Sequence, residues 1–179
     1  GGCLGPEGGY GIGTSASFYN TGFTGVDNTT GSGNFMIVNG STTVGTNVWC
    51  QTIAVNPNTN YQLSTWLSSI NPGNPAMLQF TVNGVALGAP LNAPGGTGTW
   101  IQFSETWNSG NNTSAAICIT NQNTASGGND FGLDDISFQE CVNSCPTVDS
   151  VVITEPTKLS VTPSITDALC FGICDGSAS

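Results

Sequence analysis

Two adjacent carboxylates, Asp134 and Asp135, lie inside the apolar, β-prone stretch 128–138. Only 7% of the 179 residues are charged, the single basic side chain is Lys158, and there is no histidine. Neighbouring anions repel each other, and burying a carboxylate without a partner is costly. Because the chain can hardly supply a counter-cation, this pair predicts a bound metal ion.

A second group of oxygen donors lies in the loop 27–34, which begins with Asp27 and precedes the β-prone segment 35–38. Ordinary hairpin turns need fewer residues than this loop contains. Its spacing leaves two interpretations open, a simple polar loop and a loop that binds a cation through Asp27.

Alternation along the strand separates the two adjacent carboxylates. Asp134 is in phase with Ile136 and Phe138, which predicts that it faces the interior, whereas Asp135 is in phase with Leu133. An interior carboxylate without a basic partner needs a proton or a cation. The alternative is that Asp134 caps a bulge by accepting hydrogen bonds from backbone amides.

The elements that must position these carboxylates are β-strands. The chain is rich in Gly, Ser, Thr and Asn, with β-branched and aromatic residues in short clusters, which is typical of an all-β protein. Asn83-Gly84 predicts a tight hairpin. Eight short strands predict a jelly-roll β-sandwich around which residues 1–33 wrap. The predicted strands are 35–38, 48–55, 61–69, 78–82, 85–87, 100–107, 115–120 and 131–138.

The seven cysteines indicate disulfides rather than zinc. No CxxC pair of the kind used by zinc sites occurs, so an oxidising, extracellular location is expected. Inward-facing Ile117 and Ile119 turn Cys118 outward, and Cys50 is out of phase with Ile53. In jelly-roll order the two strands are neighbours, which predicts a cross-strand Cys50–Cys118 disulfide.

The remaining cysteines are less constrained. Cys170 and Cys174, two closely spaced residues near the end of the chain, are also predicted to be disulfide cysteines. The sequence does not choose a pairing among Cys3, Cys141 and Cys145.

The pattern of the sequence changes after residue 142. Residues 1–142 are predicted to form the jelly-roll module, residues 143–150 a linker, and residues 151–179 the first strands of a second β domain. The last segment is too short to bury a core of its own, so it is either a tether or the start of a truncated domain, and we expect the chain to be part of a longer protein.

Composition excludes several classes of partner. The formal net charge of −10 disfavours nucleic acid and anionic membrane surfaces. No apolar run approaches the roughly 18 residues that a membrane span requires. We therefore expect neither nucleic-acid binding nor membrane insertion.

Three motifs carry a family resemblance. DxT at 27–29, GxFM at 33–36 and LDDIS at 133–137, followed by Cys141, together resemble the pattern of MAM domains and related carbohydrate-binding-module-like jelly rolls. The resemblance covers residues 8–142. It implies a structural calcium ion held by Asp27 and Asp134, with Asp135 as a further ligand and loop carbonyls completing the oxygen cage.

Other motifs are similar to a domain of large surface proteins in gliding Bacteroidetes-type bacteria. These are WCQ at 49–51, NGV at 83–85, WIQFSETW at 100–107 and GNDFGLDD at 128–135. Further along, ITEPTxL at 153–159 and CxGxCDGSA at 170–178 are similar to the opening of a SprB-type repeat, which implies an Ig-like second domain. Such adhesins reach the cell surface by type IX secretion, and Asp149-Ser150-Val151 resembles the O-glycosylation sequon of the same bacteria at Ser150.

Three functions follow as expectations. The first is a non-catalytic segment of a secreted cell-surface adhesin for gliding or attachment, stabilised by calcium and disulfides, whose partners are surface glycans, neighbouring domains or the secretion and gliding machinery. The second is a glycan-binding module appended to a secreted enzyme, in which Trp66 stacks on a sugar ring and Gln62 and Gln102 add hydrogen bonds. Alternatively, the N-terminal segment covers Trp66.

The third function, an enzyme, is disfavoured. Without histidine the chain has neither a Ser-His-Asp triad nor histidine-based metal catalysis. Glu7, Glu105 and Asp130 are carboxylates that a glycosidase could use, but no pattern places two of them across a cleft. We therefore predict that the module is not an enzyme.

Overall fold

The computed structural model describes Leu4, residues 7–141 and two short strands near the end of the chain. The chain divides into two compact units, Gly1–Asn143 and Ser144–Ser179. In the second unit, β10 (Ile165–Thr166) pairs antiparallel with β11 (Ser177–Ala178).

The described residues of the first unit form nine strands and one turn of 3-10 helix at Ala16–Phe18. The strands are β1 (Tyr10–Gly13), β2 (Phe35–Val38), β3 (Thr46–Ala54), β4 (Asn60–Ser69), β5 (Met77–Val82), β6 (Val85–Asn92), β7 (Ile101–Asn108), β8 (Ser114–Asn121) and β9 (Phe131–Glu140). No helix among the described residues is long and apolar enough to cross a membrane.

The strands form two antiparallel sheets. Sheet A has the order β1-β2-β9-β4-β7, and sheet B has the order β3-β8-β5-β6. From β2 onward, successive strands alternate between the sheets except at the β5–β6 hairpin, which is the order of a jelly roll, and β1 extends sheet A beside β2. The prediction of an all-β jelly-roll sandwich is therefore confirmed.

All eight predicted strands are present, and Asn83-Gly84 forms the two-residue turn of the β5–β6 hairpin. Both turn residues have positive φ, 51° and 77°, as a type I′ turn requires. The turn pairs Val82 with Val85.

Strand β1 was not predicted, because glycines alternate with its larger residues. A Cβ at Gly11 or Gly13 would meet the ring of Tyr19, which lies over both positions. The Tyr19 hydroxyl donates to the carbonyl of Ile12 at 2.6 Å. The glycines thus make room for a side chain from the following segment.

The main core lies between the two sheets. Leu63, Leu67, Phe80, Ile117 and Ile119 are fully buried there. Across the interface the rings of Phe80 and Phe103 stack with centroids 3.7 Å apart.

A second apolar cluster lies on the outer face of sheet A. Its buried members are Ala16, Phe23, Phe35, Ile37 and Ile70, and Leu4, Tyr19 and Trp100 pack against them. The segment 14–34 supplies the cover, as the predicted wrap requires. It buries one half of this outer face and leaves the other half open.

Candidate functional site

The open half of the outer face of sheet A carries the residues predicted to bind a glycan. Leu63 and Leu67 of β4 point into the main core, so the alternating residues Gln62, Ser64 and Trp66 point outward. The strand register brings Gln102 of β7 directly opposite Trp66.

Three rows of side chains cross this surface, which we call the Trp66 platform. Its members are Trp66 and Gln102 in the first row, Ser64, Ser104 and Ser137 in the second, and Gln62, Thr106 and Gln139 in the third. Every one of these side chains is uncharged and at least partly exposed. The amide of Gln62 donates to the Ser104 hydroxyl at 3.0 Å and links two rows.

Trp66 lies at the border between the covered and the open half. It is half-buried and belongs to neither apolar cluster. Whatever packs around Trp66 therefore leaves part of the residue exposed. The structure brings Trp66, Gln62 and Gln102 onto one surface.

Asp134 lies opposite Trp66 on β9, on the same outer face. Alternation along the strand predicted that Asp134 faces the core together with Ile136 and Phe138. This prediction is wrong, because Asp134 faces outward while Ile136 and Phe138 pack against the core. The register shifts between Ser64 and Trp66, and Asp135 has a φ of +49°. This bulge inverts the phase of β9.

Asp134 is nevertheless buried, at 9% exposure, because the Asp27 loop covers it. Its Oδ2 accepts a hydrogen bond from the amide of Asn28 at 2.8 Å, and its Oδ1 accepts one from the amide of Asp135 at 2.9 Å. The Asp135 carboxylate accepts from the hydroxyl of Thr29 at 2.7 Å. Asp134 thus caps the bulge through backbone amides.

Asp27 closes its own loop. Oδ1 accepts from the amide of Gly33 at 2.8 Å, and Oδ2 accepts from the amide and the hydroxyl of Thr30 at 2.8 and 3.0 Å. Burial raises the pKa of Asp27, but these donors outweigh it, so the pKa lies below its ordinary value.

Calcium needs six to eight oxygen ligands. Within the described part of the chain, no three Asp, Glu, His or Cys side chains converge in a way that could hold a metal ion. Both oxygens of Asp27 and both of Asp134 already accept N–H groups. This donor set does not fit an open calcium cage, and the calcium ion at Asp27, Asp134 and Asp135 stays a prediction.

Cys50 and Cys118 form the predicted disulfide across the neighbouring strands β3 and β8. Cys141 is half-buried and makes no disulfide with any described residue. The predictions for Cys170, Cys174, Ser150 and the linker lie outside the described residues, as do Cys3 and Cys145. Within the predicted repeat, only the short strands β10 and β11 are described.

Sequence reasoning missed the surroundings of Asp130, which is 4% exposed. Its carboxylate accepts from the amide of Gly40 at 3.2 Å and from the side-chain amide of Asn71 at 3.0 Å. Burial raises the pKa of Asp130, these hydrogen bonds oppose the rise only in part, and the negative charge of Glu7 adds to it. No sequence pattern linked these residues, because they come from separate loops.

Sequence reasoning also missed a groove of about 410 Å³ between the edge strands β1 and β3. It is lined by Tyr10, Ile12, Met36, Trp49 and Ile136, among others. Tyr10 and Ile12 are 62% and 63% exposed. The lining is mostly apolar, so the groove offers few side-chain hydrogen bonds to a polar ligand.

Solved structures similar to this chain include carbohydrate-binding modules with jelly-roll folds. The C-terminal domain of EclA, a sugar-binding protein, is 17% identical with a TM-score of 0.49, over 54% of this chain and 68% of that one. The xylan-binding CBM22-1 domain of Xyn10C from Paenibacillus barcinonensis is 15% identical with a TM-score of 0.48, over 78% and 88%.

The CBM22-1 and GH10 modules of xylanase 10B from Clostridium thermocellum, complexed with xylohexaose, are 14% identical with a TM-score of 0.47, over 75% and 25%. No protein-family model and no curated protein matches the chain. At TM-scores below 0.5, these likenesses assign neither a ligand nor a function to it.

Proposed function

We propose that this module is an extracellular glycan-binding domain that holds a neutral oligosaccharide on the Trp66 platform. The observation that carries the proposal is the row in which Trp66 and Gln102 lie side by side on an open, uncharged face. The cross-strand disulfide Cys50–Cys118 supports a location in an oxidising compartment.

The chemistry of the platform suits a sugar. A half-buried indole that stays partly exposed offers an apolar edge or face to the C–H groups of a pyranose ring, and its neighbours offer hydrogen bonds to hydroxyl groups. Gln62, Gln102 and Gln139 each provide both a donor and an acceptor. From Trp66 to Gln62 the platform extends about 13 Å along β4, which gives room for a short oligosaccharide.

The charges on and around the Trp66 platform favour neutral glycans over anionic ones. The platform has no cationic side chain, and the carboxylates of Asp134 and Asp135 lie at its border beside Trp66. A uronic acid or a sulfated sugar would be repelled at this border and would gain no ion pair. A neutral glycan would not be repelled there and needs no ion pair.

The adhesin prediction is a finer version of the same proposal. A platform that binds polysaccharide would serve attachment in a long surface protein. The same platform would equally serve polysaccharide binding in a module appended to a secreted enzyme. The gliding, type IX secretion and tandem-repeat predictions rest on the motifs at 153–159 and 170–178 and stay predictions.

The experiment is a glycan array followed by calorimetry on matched oligosaccharides, one neutral and one with hexuronate in place of hexose. We expect binding to the neutral compound, and Trp66→Ala to weaken it at least about tenfold, or about 1.4 kcal/mol. Trp66→Phe should retain most of the affinity, because it keeps an aromatic face. A module that binds no glycan would contradict the proposal.

Trp49→Ala is the control that distinguishes the platform from the groove. Trp49 lines the groove between β1 and β3, on the other side of the sandwich core from the Trp66 platform. If Trp49→Ala abolishes binding in a folded protein while Trp66→Ala does not, the glycan binds in the groove and the proposed site is wrong.

A further inference from the structure

We infer that Asp134 and Asp135 form a metal-free clasp that fixes the Asp27 loop as the end wall of the Trp66 platform. The clasp consists of two hydrogen bonds between residues 106 positions apart, Asn28 to Asp134 and Thr29 to Asp135. The existence of the clasp is independent of the proposed function, whereas its role as a wall rests on that function.

The bulge on β9 makes the clasp possible. Consecutive residues of a regular strand point to opposite faces, so adjacent carboxylates could not reach the same loop. The left-handed backbone of Asp135, with a φ of +49°, changes this and re-aims both side chains. From β4, the hydroxyl of Thr65 donates to the carbonyl of Asp134 at 2.9 Å and holds the bulge in place.

The loop is shaped to meet the bulge. Asp27 draws Thr30 and Gly33 toward itself through its two oxygens. The Asn28 amide and the Thr29 hydroxyl, which lie between Asp27 and Thr30, donate instead to β9. A Cβ at Gly33 would lie 2.9 Å from Asp27 Oδ2, so a larger residue there would displace the Asp27 carboxylate that shapes the loop. No metal ion is needed to give the loop this shape.

Hydrogen bonds to a charged acceptor are about twice as strong as those between neutral groups. Each oxygen of Asp134 accepts one from a backbone amide, which compensates a carboxylate that is only 9% exposed. The amides therefore do here what the family resemblance assigns to calcium.

The position of the clasp gives it a role in binding. Asp134 lies opposite Trp66, and the loop lies over Asp134, so the loop ends the platform beside the indole. Thr29 is exposed and Asn28 is half-buried at this edge. A sugar stacked on Trp66 would meet these residues, which makes Asp134 and Asp135 positioning residues for the site.

The test of the clasp is amide hydrogen exchange by NMR, which requires no glycan. In the wild type, the Asn28 amide should exchange slowly, and neither excess EDTA nor added calcium should change its rate. Asp134→Ala should accelerate exchange at least tenfold. If EDTA accelerates exchange and calcium restores the protection, a metal ion holds the loop and the clasp is overturned.

Thr29→Val tests the wall and guards against misfolding of Asp134→Ala, because it removes one hydrogen bond with little change of shape. We expect it to shift the Trp66 indole resonance and to weaken neutral-oligosaccharide binding two- to fivefold, with rescue by Thr29→Ser. An unchanged indole resonance and unchanged affinity would overturn the wall. If no glycan binds at all, the proposed function fails, while Asn28 exchange still decides the clasp.

Discussion

Trp66 and Asp134 lie directly opposite each other on β4 and β9, and both side chains lie on the outer face of sheet A. The aromatic ring marks the open half of that face, and the carboxylate marks the point at which the N-terminal segment covers it. The two residues therefore mark the boundary between two halves of the outer face of sheet A. One half is apolar and covered by the N-terminal segment, and the other half is polar and open.

The amides on the platform should contribute to glycan binding unequally. Gln102 adjoins Trp66, whereas Gln62 lies two rows away and already donates to Ser104. Because a net hydrogen bond contributes about 0.5–1.5 kcal/mol, we expect Gln102→Ala to weaken binding roughly two- to tenfold and Gln62→Ala to weaken it less. Calorimetry measures both changes. Gln51→Ala, an exposed glutamine on β3, is the matched control, and an equal loss there would contradict the assignment.

Removing the disulfide should lower the unfolding free energy of the whole sandwich, and the Trp66 platform should not unfold separately from the rest. Cys50 and Cys118 are separated by 68 residues, so the crosslink restricts a long loop of the unfolded chain. We expect the double variant Cys50→Ala, Cys118→Ala to lose about 2–4 kcal/mol of unfolding free energy. Urea denaturation measures the loss, with reduced wild type as the control. Equal midpoints for the oxidised and reduced wild type would contradict it.

The strands and the disulfide were predictable because they depend on a regular alternation of side chains. The alternation of side chains along β3 and β8 was enough to predict that Cys50 and Cys118 face outward. The jelly-roll order predicted that the two strands are neighbours. The same alternation failed at Asp134, since one bulge inverts the phase and nothing in the local sequence marks it. Sequence reasoning proposed a bulge cap only as an alternative.

Contacts between distant loops were not predictable for a different reason. The interaction of Glu7 with Asp130 and the cover that Tyr19 provides over Gly11 depend on how loops meet after the sheets have formed. Neither contact has a periodicity that could indicate it. The Trp66 platform was predictable in part, because Gln62 and Trp66 share a phase, whereas its closure by the Asp27 loop was not.

Gly40 should be intolerant of substitution. A Cβ at this position would collide with the carbonyl oxygen and the side chain of Asn129, a fully buried residue. Because backbone cannot move aside cheaply, we expect Gly40→Ala to cost about 1–3 kcal/mol or more of unfolding free energy. Gly96→Ala is the control, since a Cβ there meets nothing within 4 Å and should change stability by less than about 0.5 kcal/mol. Equal melting temperatures would contradict the predicted collision.

Asp130 should make stability depend on pH in the opposite direction to most carboxylates. Because its folded pKa lies above its ordinary value, the folded state binds more protons than the unfolded state between the two pKa values. Stability therefore rises as pH falls from above the folded pKa toward the ordinary value near 4. We expect the free energy of unfolding of the wild type, relative to Asp130→Asn, to increase over this window in urea titrations. Glu7→Gln should reduce the slope, since the Glu7 charge adds to the rise in pKa, and parallel pH profiles for wild type and Asp130→Asn would show that the Asp130 pKa is not raised.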